Sequence, residues 1–304
     1  MKRSTILVGG GVIATHYRQG LQNSETLQLD ALVDLNPNCV ARSHFAVPFY
    51  TDLDEALKLN PRIALLALPV AVHDDIARKL LARGICVYTE KPMFESLDEI
   101  TSCAEYAKEC GAYLACMFHW KAADEVRFLK ANLSRFGKIR AISAQIFDDY
   151  AATVDGSIRP DRLGLMGAWV DSGINVLSYY DELIDLSAAR LLEETMISDS
   201  KSGLAKYAKK VFDCGGVRAE IVVDWRTESR DKTSRIECER GTVFVDHAAQ
   251  TIRLNDEVIF QSKVEDRLSS HYANLFHRLS PETIEGSQKS TYLLHKLLYT
   301  GNAR

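Results

Sequence analysis

The sequence lacks the features that are typical of membrane proteins, nucleic-acid-binding proteins and secreted proteins. None of its apolar runs approaches the roughly 20 residues that a membrane-spanning helix needs. A formal net charge of −4 gives no field that would attract nucleic acid or an anionic lipid surface. No small-residue cleavage site follows the first apolar run, which argues against a signal peptide. We therefore expect a soluble, cytoplasmic protein with neither nucleic acid nor a membrane as a partner.

Cysteine and histidine are too scattered to suggest a disulfide framework or a metal site. The seven cysteines are an odd number, and their spacings match no common zinc motif. Cys86 and Cys116 lie in apolar, strand-like runs, where a reduced thiol packs as a small hydrophobic side chain. We therefore expect reduced thiols and no catalytic metal. The length of 304 residues is enough for two domains, each with its own core.

The most informative motif lies at the start of the chain. The apolar run 6–8 predicts a strand that is buried on both faces, and Gly9-x-Gly11-x-x-Ala14 follows it directly. The glycines permit a tight turn and close approach of a pyrophosphate to the backbone, while Ala14 is small enough for a helix to lie against the sheet. The free amides at the start of that helix, predicted over residues 12–23, would bind the diphosphate. The motif therefore predicts a dinucleotide site.

The second predicted strand supports the same site and indicates which dinucleotide it takes. Residues 27–33 form this strand, and Asp34 follows it, twenty positions after Ala14, where a carboxylate meets the adenine ribose. The carboxylate would repel the extra phosphate of NADP, and Arg42 is the nearest cation downstream. We therefore expect NAD in preference to NADP. The predicted cofactor-binding residues are Gly9, Gly11, Val12, Ile13, Asp34, Leu68, Glu90 and Lys91.

Strands and helices alternate up to about residue 121, which is typical of a doubly wound parallel sheet. Further strands are predicted at 63–68, 85–88 and 113–118, and helices at 72–83 and from the capping box at Ser96 to residue 111. Beyond residue 121, and after a helix near 122–133, strand-like runs follow one another at 139–147, 217–223, 235–238 and 242–245. The prediction is an α/β protein: a Rossmann domain, 1–121, and an α+β domain with an open, mostly antiparallel sheet, 122–304. A C-terminal helix is predicted at 293–299, and the prediction leaves open whether it packs on the first domain.

The tripeptide Glu90-Lys91-Pro92 follows the strand predicted at 85–88. It thus lies at the carboxyl edge of the parallel sheet, where ligands of doubly wound folds bind. An isolated lysine after a turn is usually just solvated, but this lysine stands downstream of a dinucleotide motif. We therefore predict a functional role for Lys91 at this edge.

At this point the chain resembles the Gfo/Idh/MocA family of NAD(P)-dependent sugar oxidoreductases. The resemblance rests on the glycine motif, on Glu90-Lys91-Pro92 and on residues 169–175, WVDSGIN. It implies that Lys91 lies in the active site near the substrate hydroxyl and the nicotinamide. It also implies that residues 169–175 start a helix that faces the same site.

The chain departs from the family at Asn175, where the resemblance implies an acid/base histidine. An amide can orient a hydroxyl but cannot take its proton. Asp171 lies four residues earlier, on the same face of the predicted helix, and can accept a proton, although a helix N-cap is an equally ordinary role for it. We predict that Asp171 is catalytic together with Lys91, and that Asn175 binds substrate.

The Asp-x-Gly-x-Asn form is similar to the aldose 1-dehydrogenase branch of the family, which oxidises arabinose- or galactose-type pyranoses. His119-Trp120 resembles the same branch, as does Trp225, whose flat ring would suit the apolar face of a sugar. Asp148 ends the first strand of the second domain, where sugar hydroxyls could be bound. The predicted substrate-binding residues are therefore Asn175, His119, Trp120, Asp148 and Trp225. Core packing is the plainer interpretation of each tryptophan.

The predicted reaction is hydride transfer from the anomeric carbon of a free aldose to NAD, giving the aldonolactone. The ring oxygen assists hydride loss at this carbon, so a modest base is enough. One alternative is a sugar-nucleotide or cyclitol oxidoreductase, and a nucleotide would require basic and aromatic groups in the second domain. Another is a non-catalytic sensor of NAD and sugar. The open sheet of the second domain favours a homodimer or a homotetramer.

Overall fold

The computed structural model describes residues 1–301, and the chain divides into two compact units. Unit 1 comprises Met1–Ala122 together with Asp266–Tyr292, and unit 2 comprises Ala123–Glu265 with the chain from Leu293 onward. The segment 266–292, which the sequence prediction assigned to the second domain, therefore belongs to the first unit. No helix within the described residues is both long and apolar enough to cross a membrane.

The strands and helices confirm the predicted α/β class. The strands are β1 (Arg3–Val8), β2 (Leu27–Val33), β3 (Phe49–Tyr50), β4 (Ile63–Leu66), β5 (Cys86–Thr89), β6 (Leu114–Cys116), β7 (Ile139–Phe147), β8 (Ala189–Ser198), β9 (Ala205–Cys214), β10 (Val217–Asp224), β11 (Lys232–Cys238), β12 (Gly241–Asp246), β13 (Thr251–Leu254) and β14 (Glu257–Gln261). The helices are α1 (Val12–Thr15), α2 (Arg18–Asn23), α3 (Leu53–Leu57), α4 (His73–Leu81), α5 (Leu97–Glu109), α6 (Asp124–Ala131), α7 (Leu133–Phe136), α8 (Ile174–Tyr180), α9 (Arg267–Phe276) and α10 (Pro281–Tyr299).

Unit 1 is built on a parallel sheet in the order β3-β2-β1-β4-β5-β6. Its central strands are buried on both faces, which explains why they are continuously apolar. The capping box predicted at Ser96 is present: its hydroxyl accepts from the Glu99 amide, and the Glu99 carboxylate accepts from the Ser96 amide. The carboxyl ends of these strands form the edge that carries the dinucleotide motif.

The single helix predicted over residues 12–23 is in fact two short helices, α1 and α2. At the break, the amides of His16 and Tyr17 donate to carbonyls three residues back, at 3.1 Å each, which tightens the chain. The side chain of Tyr17 is fully buried at this break, and its ring packs 4.5 Å from that of Tyr272 on α9. Gly20 allows the close approach, because a Cβ atom there would lie 2.8 Å from the Tyr272 carbonyl oxygen. α9 therefore completes the core of unit 1.

Unit 2 is built on a sheet in the order β14-β13-β12-β11-β7-β10-β9-β8. Its neighbouring strands are antiparallel except for β7 and β10, as the prediction of a mostly antiparallel sheet requires. The sequence prediction missed β8 and β9, which are ten residues long each. β8 is the edge strand and leaves most of its side chains exposed on both faces, so it lacks the alternation that marks a half-buried strand.

Candidate active site

Three consecutive glycines form the turn between β1 and α1. Gly9 has a φ of +102°, and a Cβ atom there would lie 2.3 Å from the Ala67 carbonyl oxygen, so only glycine fits. A Cβ atom on Gly11 would meet no atom within 4 Å, which leaves the backbone open to a ligand. A dinucleotide pyrophosphate needs this open approach to the turn. The residues present therefore fit a nicotinamide dinucleotide.

Asp34 is fixed at the carboxyl end of β2 by two backbone amides. The Gly10 amide donates to Oδ2 at 2.6 Å, and the Asn36 amide donates to Oδ1 at 2.8 Å. Each carboxylate oxygen has lone pairs left for ribose hydroxyls. Arg42 lies on a 3₁₀ turn shortly after this loop, where it donates to the Pro37 carbonyl at 2.5 Å and stacks on Phe49 at 4.5 Å. A cation is thus already held beside the loop that follows Asp34.

We expect Asp34→Ala to weaken NADH binding by about 10- to 100-fold, the usual cost of losing hydrogen bonds to a charged group. NADPH binding should change less, because the repulsion between the carboxylate and the ribose phosphate is removed. Fluorescence titration with both reduced cofactors measures the two affinities. Asp30→Ala is the control, because it removes another carboxylate of the same strand. An unchanged ratio of the two affinities would contradict the assignment of Asp34.

The other predicted cofactor residues lie around the same turn. Val12 is exposed at the start of α1, and Ile13 packs partly against the core of unit 1. Leu68 follows β4, and its side chain would be 3.1 Å from a Cβ on Gly9. Its carbonyl oxygen lies 2.9 Å from Nε2 of His73. As direct contacts of the cofactor, these residues remain predictions.

Glu90 is the buried anchor of the Glu90-Lys91-Pro92 turn. The hydroxyl groups of Tyr17 and Tyr272 both donate to its Oε1, the latter at 2.6 Å. Its Oε2 accepts the Lys91 amide at 3.2 Å. Burial, and next the Glu90 carboxylate, raises the pKa of both phenols well above the ordinary value, so they stay protonated donors. The backbone of Lys91 is therefore held by a hydrogen-bonded carboxylate at the ligand-binding edge of the sheet.

His119 follows β6 and is only 8% exposed. Its Nδ1 lies 3.2 Å from Nδ1 of His271 on α9, and the two rings stack with centroids 5.5 Å apart. Burial, followed by His271 and Lys91, lowers the pKa of His119 well below its ordinary value, so the ring is neutral at physiological pH. The main contact of His119 is thus a second histidine, and its predicted role toward sugar remains untested.

Neither tryptophan predicted to bind substrate has an exposed ring. Trp120 is 3% exposed and Trp225 is fully buried, and their predicted contacts with substrate stay predictions. Trp225 packs its ring against the edge of Tyr150, with centroids 5.1 Å apart. The burial of both residues fits the plainer interpretation, core packing.

Asp171 lies in a π-helical turn, Trp169–Gly173, that leads directly into α8. Its amide donates to the Gly167 carbonyl at 3.0 Å, so Asp171 lies within the helical segment and is not its N-cap. The Asn175 side chain donates to the Asp171 carbonyl at 3.2 Å. The amide of Asn175 thus bonds to the helix backbone, and its oxygen keeps lone pairs for a substrate hydroxyl.

Asp148 directly follows β7 and forms an ion pair with Lys232, at 2.6 Å between Oδ1 and Nζ. Burial raises the pKa of Asp148, Lys232 opposes the shift, and the nearby carboxylates of Asp171 and Asp149 add to it. Asp148 and Asp171 are therefore close enough within unit 2 to interact electrostatically. Such a pair of carboxylates can bind hydroxyl groups and accept a proton.

Several residues of these clusters escaped sequence analysis. Tyr17, Tyr272, His271 and Lys232 contact predicted residues that are distant in the chain, and no local motif marks them. Within residues 1–301, no cluster of three or more His, Cys, Asp or Glu side chains could hold a metal ion.

The parallel sheet, the open glycine turn and the fixed Asp34 define an NAD-binding Rossmann domain. Residues 3–118 match a family model described as the oxidoreductase family with an NAD-binding Rossmann fold, the Gfo/Idh/MocA family. Over these residues the chain is therefore similar to that family of NAD-binding oxidoreductases. A relative of Sinorhizobium fredii, the uncharacterized protein y4oX, is 21% identical over 242 residues, which are 73% of this chain. The match spans slightly less than two thirds of that protein, at 66%.

Solved structures share the fold over nearly the whole chain. An oxidoreductase from Agrobacterium radiobacter, in complex with NAD⁺, L-tartaric acid and magnesium, has a TM-score of 0.78 at 13% identity and covers 100% of this chain and 98% of its own. The 3-ketoreductase KijD10 of Actinomadura kijaniata, with TDP-benzene and NADP, gives 0.76 at 13% identity, with 98% and 96% covered. UDP-N-acetylglucosamine 3-dehydrogenase GnnA of Acidithiobacillus ferrooxidans gives 0.76 at 17% identity, with the same coverage.

Proposed function

We propose that this chain is a dehydrogenase that transfers a hydride from a CH–OH carbon of a sugar to NAD(P). The observation that carries the proposal is the buried Asp148, paired with Lys232 at 2.6 Å and near enough to the Asp171 carboxylate to interact with it electrostatically. Lys91, held through Glu90 at the cofactor edge of unit 1, would bind the reacting hydroxyl oxygen. Asp171 would accept its proton as the hydride leaves for the nicotinamide ring. Asn175 would orient a neighbouring hydroxyl.

The anomeric carbon of a free aldose is the proposed position of oxidation. Asn175 offers no basic group, so the site depends on the weaker base Asp171. Hydride loss at the anomeric carbon suits a weak base, because the ring oxygen shares the developing positive charge. The product would be the aldonolactone. A homodimer or homotetramer in the cytoplasm remains our expectation for the assembly.

Oxidation of another hydroxyl on a sugar nucleotide is the second candidate. It is favoured by two of the structural neighbours, because KijD10 is a 3-ketoreductase crystallised with TDP-benzene and GnnA is a UDP-N-acetylglucosamine 3-dehydrogenase. Their sequence identity to this chain is 13% and 17%, so the likeness by itself supports only the fold.

A cofactor-reduction assay tests the proposal and separates the candidates. The purified chain is mixed with NAD⁺ or NADP⁺ and with a panel of free aldoses, cyclitols and UDP-sugars, and absorbance of the reduced nicotinamide is followed. Reduction with one aldose, lost in Asp171→Ala, supports oxidation at the anomeric carbon. Reduction only with a UDP-sugar supports the second candidate. Cofactor binding without any reduction would leave the sensor interpretation and reject the proposal.

The pH dependence of the reaction should respond to Lys232. Lys232 lowers the pKa of Asp148, which burial raises, so Lys232→Met should raise that pKa further. Protonated Asp148 loses its negative charge and is a weaker acceptor for sugar hydroxyls, so the acidic limb of kcat/KM should move to higher pH. Arg230→Gln is the control, because Arg230 pairs with the neighbouring Asp149 at 2.8 Å. If kcat/KM falls at the same acidic pH in wild type and in Lys232→Met, Asp148 is not part of the site.

A further inference from the structure

A group of cations and aromatic rings lies next to the carboxylates of unit 2, and the mechanism above does not use it. Tyr150 follows β7, two residues after Asp148. The guanidinium carbons of Arg162 and Arg159 lie 4.7 Å and 5.4 Å from the centre of its ring. The ring of Trp225 packs against Tyr150 at 5.1 Å and an angle of 66°. Tyr150 is thus held between buried aromatic packing and two positive charges.

The two guanidinium groups are held in place by the local backbone. The Arg159 amide donates to the Tyr150 carbonyl at 2.9 Å, and the Arg162 amide donates to the Arg159 carbonyl at 2.9 Å. A 3₁₀ turn, Pro160–Leu165, carries Arg162. These bonds hold the backbone of the segment from which both guanidinium groups reach the ring of Tyr150.

Asp161 pairs with both arginines but makes no well-aligned hydrogen bond with the Nε atom of either. Its carboxylate oxygens are 3.7 Å from Nε of Arg159 and 3.2 Å from Nε of Arg162. The Asp161 side chain is 63% exposed, whereas the arginines are 35% and 37% exposed. Among the described residues, neither buried Nε atom has a hydrogen-bond acceptor in suitable geometry. An exposed carboxylate that pairs loosely with two guanidinium groups can give way to a ligand anion.

Tyr150 connects this cationic group to the carboxylates proposed to bind sugar hydroxyls. Burial and the charges of Asp148 and Asp171 raise the pKa of Tyr150, and Arg162 lowers it. The phenol of Tyr150 therefore interacts electrostatically with the carboxylates on one hand and with Arg162 on the other. A ligand that places its hydroxyls on Asp148 and Asp171 would bring its next substituent toward the arginines.

We infer that the substrate is an anionic sugar derivative whose phosphate or carboxylate group is bound by Arg159 and Arg162 over the ring of Tyr150. The inference rests on the proposed function, since it names the substrate class of the same site. Guanidinium groups bind phosphates and carboxylates through paired N–H donors, which a neutral sugar cannot use. A sugar phosphate or a uronate leaves the anomeric carbon free for oxidation. In a nucleoside diphosphate sugar the anomeric carbon carries the diphosphate, so oxidation takes place at another hydroxyl.

Calorimetric titration of the full chain tests the inference directly. The protein is saturated with NAD⁺, so that the dinucleotide site is filled, and titrated with glucose 6-phosphate, glucuronate, UDP-glucose and neutral glucose. The variants are Arg162→Gln, Arg159→Gln and Arg162→Lys, which retains the charge but not the paired donors. Arg190→Gln is the matched control, because Arg190 pairs with Asp213 at 2.7 Å on the exposed edge strand β8.

We expect at least one anion to bind and its affinity to fall about 10- to 100-fold in either glutamine variant, with Arg190→Gln unchanged. Arg162→Lys should lose part of this affinity, and binding of neutral glucose should be the same in all variants. The anion that binds identifies the source of the charge. If every anion binds no better than glucose, or binds equally to wild type and both glutamine variants, the inference is wrong.

The outcome separates this inference from the proposed function. Oxidation of a neutral aldose at the same kcat/KM in wild type and Arg162→Gln would overturn the inference and leave the proposed function standing. Arginine-dependent binding of an anion that is never oxidised with NAD⁺ or NADP⁺ would support the anion site and reject the proposed dehydrogenase activity.

Discussion

Lys91→Ala should lower kcat by about 100- to 10,000-fold, the range for loss of a positioned group in proton transfer. The Lys91 side chain follows a backbone that Glu90 holds at the end of β5, so its removal should leave the turn intact. NAD⁺ affinity should therefore be retained, because the glycine turn and Asp34 are untouched. Initial rates with the identified sugar and fluorescence titration with NADH measure the two quantities separately.

A matched control for this variant is Lys58→Ala. Lys58 is exposed, pairs with Glu55 at 2.6 Å and lies at the end of α3, so its loss should leave kcat unchanged. A Lys91→Ala enzyme with wild-type kcat would remove Lys91 from the chemistry. Loss of NADH binding together with kcat would show instead that the lysine supports the cofactor site.

The features that sequence analysis predicted correctly are local ones. The strand β1, the glycine turn and the strand that ends at Asp34 lie within one short stretch, and each is specified by neighbouring residues. Gly9 has a φ of +102°, which glycine adopts far more readily than other residues, so this requirement of the turn is local. The same holds for the capping box at Ser96, which four consecutive residues define.

The contacts that hold Glu90 could not be predicted in this way. Tyr17 is 73 positions from Glu90 and Tyr272 is 182 positions from it, and each contact depends on the path of the chain between them. Tyr272 also lies in the segment Asp266–Tyr292, which the fold groups with unit 1 although it is distant in the chain. Its helix α9 carries a single N-cap, Asp266, as a local signal, and nothing in that signal tells which core the helix will complete.

Trp225 illustrates why a residue type alone is a poor guide to a sugar site. A tryptophan ring is equally suited to a pyranose face and to a hydrophobic core, and only burial decides between them. The basic and aromatic group that a sugar nucleotide would require was not apparent from sequence, because Arg159 and Arg162 meet Tyr150 only after the chain turns back on itself. The alternation of polar and apolar residues predicts the strand β7, but it does not indicate which side chains lie near the end of that strand.

A second buried polar cluster, in the core of unit 2, carries the other large expected effect. Nδ1 of His247 lies 3.0 Å from Oε1 of Glu125, and its Nε2 lies 2.8 Å from the Ser234 hydroxyl. All three residues are at most 2% exposed. The edge of the His247 ring faces Tyr179 at 5.0 Å, and Tyr179 belongs to α8, which follows the π-helical turn of Asp171. This cluster therefore supports the helix that carries Asn175.

His247→Ala should lower the free energy of unfolding of the chain by about 3–5 kcal/mol, because it deprives a fully buried carboxylate of its imidazole partner. Ser234→Ala removes only the hydroxyl at the other end of the chain of hydrogen bonds and should cost about 1 kcal/mol. Urea denaturation followed by tryptophan fluorescence measures both. A cost for His247→Ala no larger than that for Ser234→Ala would mean that the contact between His247 and Glu125 contributes no more than an ordinary hydrogen bond. The double variant Glu125→Gln/His247→Ala supplies the decisive comparison: it removes the buried charge together with its partner, so it should be more stable than His247→Ala alone.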